Sequence, residues 1–112
     1  MQISIDQQNT VTVVTVAGSL DALTADTLAA ALHEQVQAGR TRVVASLAGL
    51  EYTSSAGLRV LLGTLKETRQ RGGDLRLAGV QERVRRVLDL SGFTSILKTY
   101  PDVPDAVASF AT

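Results

Sequence analysis

The sequence predicts an α/β fold: a mixed, mostly parallel sheet of about five strands, with an antiparallel N-terminal strand and about four helices. Three observations lead there. Val11-Thr12-Val13-Val14-Thr15-Val16 and Val43-Val44-Ala45-Ser46-Leu47 are β-branched and apolar runs of strand length, whereas Leu58, Leu61, Leu62 and Leu65 recur at helical steps. After an opening hairpin the two patterns alternate, which implies parallel pairing through right-handed crossovers. Glycines at Gly39, Gly72-Gly73 and Gly92 close the helical stretches.

Taken in order, Ile3 and Ile5 alternate with polar residues, Gln7 to Thr10 reads as a turn, and Val11 to Val16 returns as the second strand of a hairpin. Thr24 is placed to cap a first helix that carries Leu28, Ala31, Leu32 and Val36 on one face, with Asp26 in its first turn and Gly39 at its end. Asp21 reads as a cap or turn residue just before it. Val43, Val44 and Leu47 give the buried third strand. The register changes between Tyr52 and Ala56, and a second helix runs on to Arg71. Leu75, Leu77 and Val80 give a fourth strand, and Gln81 to Ser91 a third helix with Val84, Val87 and Leu88 inward. A short strand is expected at Ile96 to Thr99, then a small helix beginning at Pro104 and ending near Phe110.

Composition narrows the function. The 112 residues suit one domain spanning residues 1–112, and a hydrophobic share of 45% is sufficient for a single core. Eleven basic and eleven acidic residues cancel, removing the long-range field of a nucleic-acid or anionic-membrane binder. The absence of cysteine excludes a disulfide framework and a thiolate metal site. The N-terminus lacks the pattern of a secretory leader, and no apolar run approaches the roughly 18 residues a membrane span needs. These features predict a cytoplasmic protein with no cofactor or metal, no membrane insertion and no nucleic-acid partner, monomeric when free.

The chemistry concentrates at Thr53-Ser54-Ser55-Ala56-Gly57, where a strand gives way to a helix. Ser54 or Ser55 can act as N-cap, and Gly57 allows close approach of backbone or of a partner. The first backbone N–H groups of a helix have no intrahelical acceptor and the local dipole is positive, so a phosphate on Ser55 would meet donors. The stretch superficially resembles a hydrolase nucleophile elbow but lacks its first glycine. The single histidine, His33, precedes the serine and lies within a helix, so a catalytic triad is not expected. Gly57 to Thr64 has neither the spacing nor the lysine of a P-loop. Arg83, Arg85 and Arg86 read as a solvated helix flank, and Arg59 lies one turn into the second helix.

Gly18-Ser19-Leu20-Asp21, Val43-Val44-Ala45-Ser46-Leu47, Tyr52-Thr53-Ser54-Ser55-Ala56-Gly57-Leu58 and Leu88-Asp89-Leu90-Ser91-Gly92-Phe93 together resemble the STAS domain of bacterial anti-sigma factor antagonists over essentially the whole chain. The resemblance implies that the serine opening the second helix, here Ser55 with Ser54 as the alternative, is phosphorylated by a partner that is both anti-sigma factor and ATPase-type serine kinase. It also implies reversal by a PP2C-type phosphatase. Asp21, Thr53, Ser54, Ser55, Ala56, Gly57 and Arg59 would form the partner-binding rim. Two positions depart from the family pattern: Ser54 stands where an acidic residue usually precedes the serine, and Ser46 where another often ends the third strand. A non-switching scaffold role in a larger signalling or transport assembly is the alternative reading.

Overall fold

The computed structural model describes residues 1–111. Ten elements follow one another: β1 (Gln2–Gln8), β2 (Val11–Leu20), α1 (Ala22–Gln37), β3 (Arg42–Thr53), α2 (Ser55–Gln70), β4 (Asp74–Ala78), α3 (Glu82–Leu90), a 3-10 turn (Phe93–Ser95), β5 (Lys98–Tyr100) and α4 (Val103–Ala108). The sheet order is β1-β2-β3-β4-β5, with β1 antiparallel to β2 and the remaining pairs parallel, as the alternation of patterns predicts. Strand side chains alternate between faces, so each buried strand feeds two cores. Val14, Val16, Val43, Ala45, Leu75 and Leu77 meet Leu28, Leu32, Leu61, Leu65, Val84 and Leu88 of α1, α2 and α3. On the opposite face Val11, Val13, Val44 and Ala78 pack beneath Ala106 of α4 and Phe110.

Several boundaries differ from the sequence expectation, each for a local reason. The hairpin turn contracts to Asn9-Thr10 because Gln8 pairs with Val11, and Asn9 takes the positive φ (58°) that asparagine tolerates. Helix α1 starts at Ala22, since Asp21 rather than Thr24 is its N-cap; Asp26 therefore falls beyond the first turn. Strand β4 stops at Ala78, leaving Val80 in the connection to α3. The 3-10 turn after Gly92 delays β5 to Lys98. Asp102 caps α4, which begins at Val103 with Pro104 in its first turn and ends before Phe110.

A charged cluster fastens the second core. Asp74 is buried and accepts from Arg69 Nε and Arg76 Nε, both at 3.0 Å. Arg76 also donates to Ser109 Oγ at 2.8 Å and lies 3.9 Å above the Phe110 ring, so a buried carboxylate is paired on both oxygens while the chain after α4 is held against β4.

One feature of the sheet positions the candidate site. Pairing to β1 ends at Ala17 and pairing to β4 ends at Ser46, but β2 and β3 continue beyond both neighbours. Gly18, Ser19 and Leu20 lie beside Leu50, Tyr52 and Thr53, with register shifts that mark bulges. The result is a two-stranded ribbon projecting past the body of the sheet, and α1 and α2 both start from its tip.

Candidate functional site

The ribbon tip is tied by a backbone bond from Ser54 N to Leu20 O (2.8 Å), which puts the two helix starts side by side. At the first, Asp21 Oδ1 accepts from Leu23 N and Thr24 N, each at 2.9 Å, while Thr24 Oγ1 accepts from Asp21 N at 2.9 Å. This is a capping box with threonine in place of the usual glutamate or glutamine. The Thr24 backbone N–H, then its hydroxyl, and the Leu23 N–H stabilise the charged carboxylate and hold Asp21 below its ordinary pKa of 3.8.

A pH dependence follows from the sign of that displacement. With the folded value lowered, the contribution of Asp21 is fully present above about pH 3.8 and is lost as pH falls through the lower folded value. Asp21→Asn retains a good N-cap but removes the titration, so its thermal melts should show a smaller loss of Tm below pH 3.8 than wild type. Asp21→Ala should lower Tm already at pH 7.

At the second helix start the two serines have different tasks. Ser54 is the N-cap of α2: its Oγ accepts from Gly57 N at 3.3 Å and its carbonyl from Leu58 N at 3.1 Å. Ser55 occupies the first helical position and is exposed. Thr53 and Gly57 lie beneath them, both buried; Thr53 Oγ1 donates to Ser54 O at 3.2 Å. A Cβ on Gly57 would stand 2.5 Å from Thr53 Oγ1 and 2.7 Å from Leu20 Cγ, so no larger residue fits between α2 and the ribbon without displacement. Ala56 is half-buried and Arg59 exposed.

Below Ser55 a groove of about 590 Å³ runs between α1 and α2. Its floor consists of small residues, among them Ala25, Ala29, Ala56 and Gly63, and its lips carry Asp26 and Arg59. His33 Nδ1 and Glu67 Oε1, 3.1 Å apart, bridge the helices at the far end. A side chain added at Gly63 would meet nothing within 4 Å. Two apolar side chains stand in solvent near the tip: Leu23 on the first turn of α1, 88% exposed, and Tyr52 near the end of β3, 51% exposed.

Of the rim expected from the sequence, Asp21, Ser54, Ser55 and Ala56 lie at the two helix starts, Thr53 and Gly57 are buried beneath them, and Arg59 stands exposed one turn into α2. Sequence reasoning missed Thr24 as the partner of Asp21, although Asp-x-x-Thr was the available signal. Leu23 could not be singled out, because its exposure depends on where α1 begins. Among the described residues no three His, Asp or Glu side chains converge as a metal site, and no helix is long and apolar enough to cross a membrane.

Comparison with known proteins identifies the family. The chain is 38% identical over 112 residues to BtrV of Bordetella bronchiseptica, a protein named "Putative anti-sigma factor antagonist BtrV", covering 100% of this chain and 97% of that protein. It is 32% identical over 108 residues to the anti-sigma F factor antagonist of Paenibacillus polymyxa, covering 96% and 92% of the two chains. Among solved structures, the Bacillus protein SpoIIAA shares the fold at 19% identity and TM-score 0.83 in its unphosphorylated form, covering 96% of this chain and 95% of SpoIIAA. Its phosphorylated form matches at 18% identity and TM-score 0.76, covering 96% and 98%. Such antagonists are binding proteins rather than enzymes, and their partners are anti-sigma factors. With the STAS domain family model matching residues 2–106, the chain belongs to the STAS domain family, among relatives named as anti-sigma factor antagonists.

Proposed function

We propose that this protein is an anti-sigma factor antagonist that works by partner exchange, with phosphorylation of Ser55 as the switch. In the unmodified state the tip formed by Asp21, Ser54, Ser55 and the start of α2 docks on an anti-sigma factor that is also an ATPase-type serine kinase, displacing its client. The kinase moves the γ-phosphoryl group of ATP onto Ser55 Oγ, ADP leaves, and the complex separates. A PP2C-type phosphatase returns the hydroxyl by hydrolysis and releases inorganic phosphate.

The observation that carries this reading is the division of labour between the serines. The Ser54 hydroxyl is committed to capping α2, whereas Ser55, one residue on, is exposed at the same positive helix end. A partner can reach Ser55 without opening the fold. Phosphorylation adds about 1.5 to 2 negative charges. Within the domain the helix terminus returns about 0.3 to 1 kcal/mol, but an unmatched charge buried across a contact costs several kcal/mol. The intermolecular effect is the larger, so the modification acts on association and leaves the fold in place.

Mass spectrometry of the protein taken from its own cells tests the reading. A phosphate localised by fragmentation to Ser55, and lost in Ser55→Ala, is the expected result. Unmodified peptide under every growth condition, in cells lacking the phosphatase as well, would overturn the switch and leave a constitutive interaction module.

A further inference from the structure

We propose that Arg59 is the internal counter-ion of phosphorylated Ser55, and that one modification thereby changes two contacts of the docking tip at once. The inference deepens, and rests on, the reading of Ser55 as the phosphate acceptor. Residues four apart on a helix are surface neighbours, with Cβ atoms about 5 to 6 Å apart. Ser55 and Arg59 have that relation within α2, and both are exposed. Helical side chains lean toward the N-terminus, so the Arg59 stem points back over the turn that starts with Ser55.

Arg59 is also uncommitted. Among the described residues it takes part in no ion pair, in contrast to Arg69, Arg76 and Arg86. The charged groups that share its groove are Asp26 on α1 and, toward the far end, the His33–Glu67 pair. Asp21 directs its carboxylate to its own helix cap. Glu51 lies on β3, before the tip, and is exposed. Ser54 stands immediately before Ser55 and brings no carboxylate that would compete for the guanidinium.

A phosphoserine at position 55 brings oxygens within reach of the planar fork of Arg59, whose paired N–H donors match phosphate geometry. The phosphate is then drawn down onto α2, and the guanidinium that lines the groove in the unmodified protein is withdrawn from any partner occupying it. The added charge at the tip and the removed cation in the groove oppose the same complex.

The test uses the full-length protein with phosphoserine installed at position 55 during synthesis, so that no kinase is required. The phosphorus-31 chemical shift is followed against pH in this protein and in its Arg59→Gln and Arg59→Lys variants. The wild-type phosphate should take its second negative charge about 0.2 to 0.4 pH unit lower than in Arg59→Gln. Arg59→Lys should recover part of the difference, since lysine keeps the charge without the fork. Superimposable wild-type and Arg59→Gln titrations would overturn the proposal. Whether the cell uses Ser55 at all is decided separately by mass spectrometry of cell-derived protein, so the counter-ion and the switch fail on different measurements.

Discussion

Phosphorylated Ser55 should bind the anti-sigma partner about 150-fold more weakly than the unmodified protein. The figure takes a net loss of about 3 kcal/mol for a phosphate trapped in a contact built for a hydroxyl, at about 1.4 kcal/mol per decade. Titration calorimetry with the purified partner measures it directly. Ser55→Ala should bind as tightly as the unmodified protein and be insensitive to ATP, while Ser55→Asp, with one charge and no tetrahedral group, should fall between. Equal affinities for all four forms would contradict a charge-driven exchange. The circular dichroism spectrum and Tm of the phosphorylated protein should stay close to those of the unmodified one, because Ser55 is exposed and takes no part in the cap.

The second large effect is on stability. Gly57→Val should destabilise the protein by about 3 kcal/mol, the upper part of the range for overpacking a filled site. The first atom of the new side chain already meets Thr53 Oγ1 at 2.5 Å and Leu20 Cδ2 at 2.7 Å. Relief requires α2 to move off the ribbon, which displaces Ser54 and Ser55 together, so docking should weaken in step. Gly63→Ala supplies the contrast within the same helix. Its Cβ enters open space, and removing a mid-helix glycine should raise stability by about 0.5 to 1 kcal/mol. Urea unfolding of the two variants should therefore shift the midpoint in opposite directions, and a midpoint unchanged in Gly57→Val would refute the packing argument.

These two glycines also mark the limit of what could be read from the chain. That Gly57 permits a close approach was evident from its place after two serines at a strand-to-helix junction. What approaches it, Leu20 and Thr53, became visible only once β2 and β3 were side by side. The start of α2 was legible because the apolar period changes from two to nearly four within a few residues. The start of α1 was not, since Thr24 and Asp26 form a plausible cap and first turn by themselves, and only the Asp21 bonds to Leu23 and Thr24 show the helix beginning three residues sooner. The pairing of Arg76 with Ser109, and its stacking on Phe110, join residues more than thirty positions apart through the β4–α4 packing. No local pattern encodes such a contact. The groove is of the same kind: its small residues, Ala25 and Ala29 on α1 and Ala56 and Gly63 on α2, acquire a common surface only when the two helices lie side by side.

The overhanging pair of strands has an architectural consequence. Where β2 and β3 run on past β1 and β4, their inward side chains Leu20 and Leu50 still belong to the main core, so the tip proposed to dock is rooted in the same layers that give the protein its stability. Under the proposed function, recognition would be rewritten by exchanging a handful of exposed side chains at Ser19, Leu23, Glu51 and Tyr52, while the leucines and valines behind them stay as they are.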